Sequence, residues 1–133
     1  MKKILFLLSV VSCLFSNENK MQIFQPITST CPDSWLSEMK MIAKEVDVII
    51  VNSNKNIKKE IGIPVQIQSC NTSFFNDYAF EGNVPPLAIK DFFKEIPKNA
   101  IGLSLPSYEN DKELKTVYVI YEDKTYKEFG KYK

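Results

Sequence analysis

The chain has 133 residues, with 17 lysines, no arginine, 16 acidic residues and no histidine. That length suits one domain, and the interspersed charges of both signs exclude the concentrated basic face that nucleic acid requires. The missing histidine removes Ser-His and Cys-His nucleophile systems and every histidine-containing zinc site.

Lys2 and Lys3 form a basic start, and residues 4–11 are an apolar run broken only by Ser9. A run this short does not span a bilayer, which takes roughly 20 apolar residues. Residues 1–16 therefore read as an export signal that delivers the protein to the periplasm. Two processing routes are open. Val10-Val11-Ser12-Cys13 fits a bacterial lipoprotein box, in which Cys13 becomes the lipidated first residue and anchors the protein to a membrane. The alternative is ordinary cleavage near Ser16, which leaves a free form and for which Leu14 is a poor fit. A helix retained in the fold is the remaining reading. The mature part, 17–133, is one domain with 15 lysines against 16 acids. It is long enough to bury a real core without disulfides, so two cysteines in an exported chain, Cys31 and Cys70, call for an explanation.

Residues 21–25 alternate weakly and read as a first strand, followed by a turn over 26–29. Thr30 and Asp33 have the spacing of a capping box, which starts a helix and puts Cys31 in its first turn. Trp35, Leu36, Met39, Ile42 and Ala43 fall on one face of that helix; Glu38, Lys40 and Lys44 lie opposite, and Met41 is a surface or edge residue. Residues 46–51 are β-branched and nearly continuous, as in a central strand covered on both faces. A short second helix over 57–61 ends at Gly62 and Pro64. A loop then leads to Cys70. Residues 72–75 and 78–80 flank Asn76-Asp77, a two-residue hairpin turn. Pro86 starts a third helix whose apolar face is Leu87, Phe92, Phe93 and Ile96, and Pro97 ends it. Residues 101–105 are extended, 107–115 form a charged loop, and 117–121 with 125–129 make a closing hairpin. A parallel pair joined by a crossover helix and followed by an antiparallel pair predicts a thioredoxin-like α/β sandwich. Its mixed sheet is covered by helices and extended by a C-terminal hairpin.

In that fold the loop before the third strand faces the start of the first helix, which would bring Cys70 near Cys31. At a helix start the dipole favours the Cys31 thiolate, while Asp33 opposes it. The pair has three readings. A structural disulfide would close a loop worth about 3–4 kcal/mol and leave a non-catalytic binding module. Two thiolates would hold a soft ion such as Cu(I). A thiol–disulfide oxidoreductase is the third, although the usual Cys-x-x-Cys is absent. Asp33 and Glu81 are acids near the site that would ordinarily be solvated. Trp35 and Met39 read as core residues rather than ligands. No Gly-rich phosphate loop is present, and nothing in the chain requires an enzyme.

Five motifs carry a resemblance: Cys31-Pro32-Asp33-Ser34-Trp35, Ile61-Gly62-Ile63-Pro64, Ser69-Cys70-Asn71-Thr72, Glu81-Gly82-Asn83-Val84-Pro85 and Ala100-Ile101-Gly102-Leu103-Ser104-Leu105-Pro106. In order and spacing the chain resembles the family known as domain of unknown function 411, which includes CopG-type proteins of bacterial copper resistance. The resemblance implies a periplasmic copper-binding protein, with copper as its metal partner and a periplasmic protein as a further partner. The family's ligands come from a cysteine cluster before the first helix, a Cys-His pair in the later loop, and a histidine in a Gly-His-Val-Pro motif. Cys31 and Cys70 stand at two of those positions. Ser29 and Pro32 stand where further cysteines are usual, and Asn71 and Asn83 where histidines are expected. The charged loop 107–115 replaces the family's Met- and Gly-rich insertion. The resemblance therefore implies a reduced, two-thiolate metal site of Cys31 and Cys70.

Overall fold

The computed structural model describes residues 19–133; the export-signal reading of 1–16 and the lipidation reading of Cys13 lie outside them. β1 (Lys20–Pro26) and β2 (Glu45–Val51) pair in parallel along their whole length, and α1 (Asp33–Ile42) makes the crossover between them. α2 (Lys55–Ile61) stops at Gly62, which takes the left-handed conformation (φ +92°) that ends helices readily because it has no Cβ. A short 3₁₀ turn (Val65–Ile67) precedes the hairpin of β3 (Thr72–Phe75) and β4 (Tyr78–Glu81). Its turn residues Asn76 and Asp77 both have positive φ, 48° and 71°, as the sequence predicted. α3 (Pro86–Lys94) begins on Pro86, again as predicted. β5 (Ala100–Ser104) returns parallel to β4, and β6 (Lys115–Tyr121) and β7 (Tyr126–Tyr132) continue antiparallel. All seven strands form one mixed sheet in the order β2-β1-β3-β4-β5-β6-β7, a thioredoxin-like α/β sandwich with the closing hairpin at one edge.

Alternation along β6 divides the core. Val117 and Val119 join the main cluster with Trp35 and Met39 of α1 and Ala88, Ile89 and Phe92 of α3. Tyr118 and Ile120 point the other way, onto Ile63 and Ile67 beyond α2. Helices thus cover both faces. Phe92 sits at the centre of an edge-to-face aromatic group with Tyr78, Phe80 and Phe93. Among the described residues no helix is long and apolar enough to cross a membrane.

Three expectations need correction. The run 46–51 is the outer strand, not a central one, and Val48 and Ile50 are exposed. The inner side of β1 is occupied by β3, so the crossover returns β2 to the free edge. Apolar periodicity alone does not separate a central from an edge strand. In α3 the buried face is Ala88, Ile89 and Phe92; Leu87 is exposed, and Ile96 lies past the helix end and is also exposed. Ala88, Ile89 and Phe92 share one side by their one- and four-residue spacings, whereas Leu87, five residues before Phe92, falls on another. Finally, the loop 107–115 contains a 3₁₀ turn (Ser107–Glu109) with a buried carboxylate. Glu109 accepts hydrogen bonds from Lys112 Nζ at 2.6 Å and the Thr116 amide at 3.0 Å, so part of the charged loop is anchored.

Candidate metal-binding site

The start of α1 differs from the capping-box expectation. Pro32 is the residue before the helix, with extended backbone (φ −61°, ψ 137°), and no side chain caps the end. Cys31 therefore precedes the helix. Its N–H is committed to Gln25 Oε1 at 3.0 Å, six residues back near the end of β1. Its sulfur is buried and accepts a hydrogen bond from Asn71 Nδ2 at 3.5 Å. Burial is the dominant influence and pushes the thiol above its ordinary pKa; the Asn71 amide opposes the shift, and nearby Cys70 adds to it. The sequence leaves the dipole and Asp33 in opposition; burial sets the direction instead, toward the protonated thiol.

Cys70 sits opposite, exposed, at the end of the loop that enters β3. Its main chain is held from inside the molecule. Asn54 Nδ2 donates to the Cys70 carbonyl at 2.7 Å, and Lys58 Nζ donates to the carbonyls of Ser69 at 2.7 Å and Cys70 at 3.1 Å. Lys58 is ion-paired with Glu81 in the interior. Glu81 also accepts from the Ser69 amide at 2.8 Å and from Thr72 Oγ1 at 2.6 Å. The expectation that Glu81 is a solvated acid is wrong: the residue is 0% exposed, because its carboxylate has a buried ammonium to neutralise it and N–H and O–H donors to fill its remaining lone pairs.

Three segments close around the thiols. The Gly82 N–H donates to Asn71 O at 2.8 Å and the Leu105 N–H to Glu81 O at 2.9 Å. Gly82 has φ +81°, and a Cβ there would lie 2.4 Å from Leu105 O and 2.8 Å from Ser69 Cβ. Only glycine lets these strands approach so closely. On the other side Trp35 Nε1 donates to Val84 O at 3.0 Å, tying α1 to the segment after Gly82. Trp35 and Met39 are buried core residues, and Met41 is exposed, as expected.

The result is a cavity of about 150 Å³. Ser29, Thr30 and Cys31 form one wall and Ser69, Cys70 and Asn71 the other, with Asn83, Ser107 and Asn110 around them. Sequence reasoning thus located both cysteines and the positions of Ser29, Asn71 and Asn83. Pro32 does not line the cavity. Ser107, Asn110 and the supports Gln25, Asn54 and Lys58 were not foreseen, since no periodicity marks them. Cys31 and Cys70 are free thiols here, so the structural-disulfide reading finds no bond in this structure. Among the described residues, those that line the cavity carry no charged side chain. Among the described residues no group of three or more His, Cys, Asp or Glu side chains is placed to hold a metal. The two thiols are the soft donors at the cavity; hydroxyl and carboxamide groups make up the rest of its polar lining.

Residues 67–109 match the family described as "Protein of unknown function, DUF411". No curated protein matches the chain. Two solved structures share its fold. "Copper resistance protein copG- Form 2" has a TM-score of 0.70 at 15% identity, covering 86% of this chain and 98% of that one. "Copper resistance protein copG- Form 1" has a TM-score of 0.66 at 16% identity, covering 85% and 96%. Cys70, Asn71, Glu81 and Asn83 lie within the matched segment; Cys31 lies outside it and joins them only through the fold. The family resemblance is thus matched over residues 67–109, which hold three of its five motifs, and the chain shares the fold of the two CopG structures.

Proposed function

We propose that this is a periplasmic copper-handling protein of the copper-resistance type, which binds a single Cu(I) between the sulfurs of Cys31 and Cys70. The observation that carries the reading is the meeting of two free thiols, one sheltered and one open to solvent, at one uncharged cavity. Thiolates are soft ligands and favour Cu(I) over harder ions. The exposed Cys70 makes first contact with the ion, and Cys31 completes the site on losing its proton. The hydroxyls and carboxamides around them are poor ligands for Cu(I), so they leave the ion two-coordinate. Export follows from the signal over residues 1–16, and Cys13 as a lipidated first residue would hold the protein at a membrane without altering the site.

A competition titration against a chromophoric Cu(I) chelator tests this. The reduced protein is expected to take one Cu(I) per chain, and Cys31→Ser or Cys70→Ser to lose that binding. If either single variant keeps wild-type affinity, the two-thiolate site is wrong.

A further inference from the structure

We infer that Asn54, Lys58 and Glu81 are positioning residues that set Cys70 against Cys31, an assignment that rests on the two-thiolate reading above. The three side chains come from outside the cavity wall and are buried, at 4%, 3% and 0% exposure. All converge on the main chain of the Cys70 loop. Asn54 Nδ2 and Lys58 Nζ both donate to the Cys70 carbonyl, Lys58 also reaches the Ser69 carbonyl, and Glu81 accepts from the Ser69 amide. The same Asn54 amide reaches Phe24 O at 3.3 Å, in the strand that leads to the Cys31 loop. One carboxamide therefore ties the Cys70 carbonyl to the strand that leads to Cys31.

A buried ion pair is a weak source of stability, since apolar residues of the same volume often serve as well. What apolar residues could not do is satisfy the two carbonyls and one amide that this loop turns inward. Satisfying them fixes the main chain on either side of the Cys70 side chain. An exposed thiol on a surface loop would otherwise sample many positions, and a two-coordinate site tolerates few. The ion pair is neutral as a unit, so its effect on Cys70 is geometric.

The test uses Asn54→Ala and Lys58→Met in the exported chain, with two readouts: Cu(I) affinity by chelator competition and iodoacetamide alkylation of Cys31. Each variant is expected to weaken Cu(I) binding by roughly 10–100-fold, the usual effect of losing a support behind a ligand, while Cys31 stays as protected as in wild type. Wild-type affinity in both variants overturns the assignment. So does a loss of affinity accompanied by free alkylation of Cys31, which marks general loosening of the fold. Where Lys58→Met does not fold, Asn54→Ala decides alone, because it leaves no unpaired charge. If wild type and Cys70→Ser bind Cu(I) equally, the two-thiolate reading has failed on its own. The positioning claim then stands or falls on amide exchange. The Ser69 amide must exchange faster in Asn54→Ala while the amides of α1 are unchanged, and equal rates at Ser69 reject it.

Discussion

Glu81→Leu is expected to lower the thermal unfolding midpoint on the order of 10–20 °C, read by circular dichroism. The substitution leaves the Lys58 ammonium in the interior with no counter-charge, and breaking one half of a buried pair costs about 3–5 kcal/mol. It also removes the acceptor for the Ser69 amide and the Thr72 hydroxyl. The double variant Lys58→Met/Glu81→Leu is expected to recover the charge part of that loss. It remains below wild type because the Ser69 amide and the Ser69 and Cys70 carbonyls lose partners. A double variant as unstable as Glu81→Leu would mean that the unpaired charge is not the source of the loss.

Asn71→His is expected to raise Cu(I) affinity by about tenfold or more, because an imidazole nitrogen, unlike an amide, is a competent copper ligand. Asn71 already directs its Nδ2 at the Cys31 sulfur, 3.5 Å away, and opens onto the cavity. The opposite substitution, Asn71→Leu, removes the one contact that lowers the Cys31 pKa and leaves burial, which raises it, unopposed. In the proposed site copper displaces a proton from this thiol, so the Cys31 proton alone would make affinity rise about tenfold per pH unit below its pKa. The penalty in Asn71→Leu is therefore expected near neutral pH and is expected to shrink as pH rises past the thiol's pKa. A penalty that does not change with pH would place the role of Asn71 in packing instead.

Local chemistry was the legible part of the fold. Asn76-Asp77 dictates its hairpin, Gly62 ends α2 and Pro86 begins α3, because each acts through its own backbone geometry. Residues whose role depends on distant neighbours were misread. The apolar run 46–51 has the composition of a central strand, but which edge it occupies depends on where β3 pairs. Thr30 and Asp33 have capping-box spacing, yet Pro32 takes the cap position and Gln25 claims the Cys31 amide. At the cavity, the family motifs singled out Cys31 and Cys70 as thiol donors and Asn71 and Asn83 as residues standing where histidines are expected, and all four line it. They did not disclose Asn54 or the burial of Lys58 and Glu81. A lysine in a lysine-rich helix and a glutamate at a strand end look solvated until the fold brings them together.

X-ray absorption at the copper edge of the Cu(I)-loaded protein tests the central claim most directly. Two sulfur scatterers in the first coordination sphere of wild type, with no protein-bound copper left in Cys70→Ser, is the predicted result. A sphere dominated by nitrogen or oxygen, or one unchanged by Cys70→Ser, would contradict it.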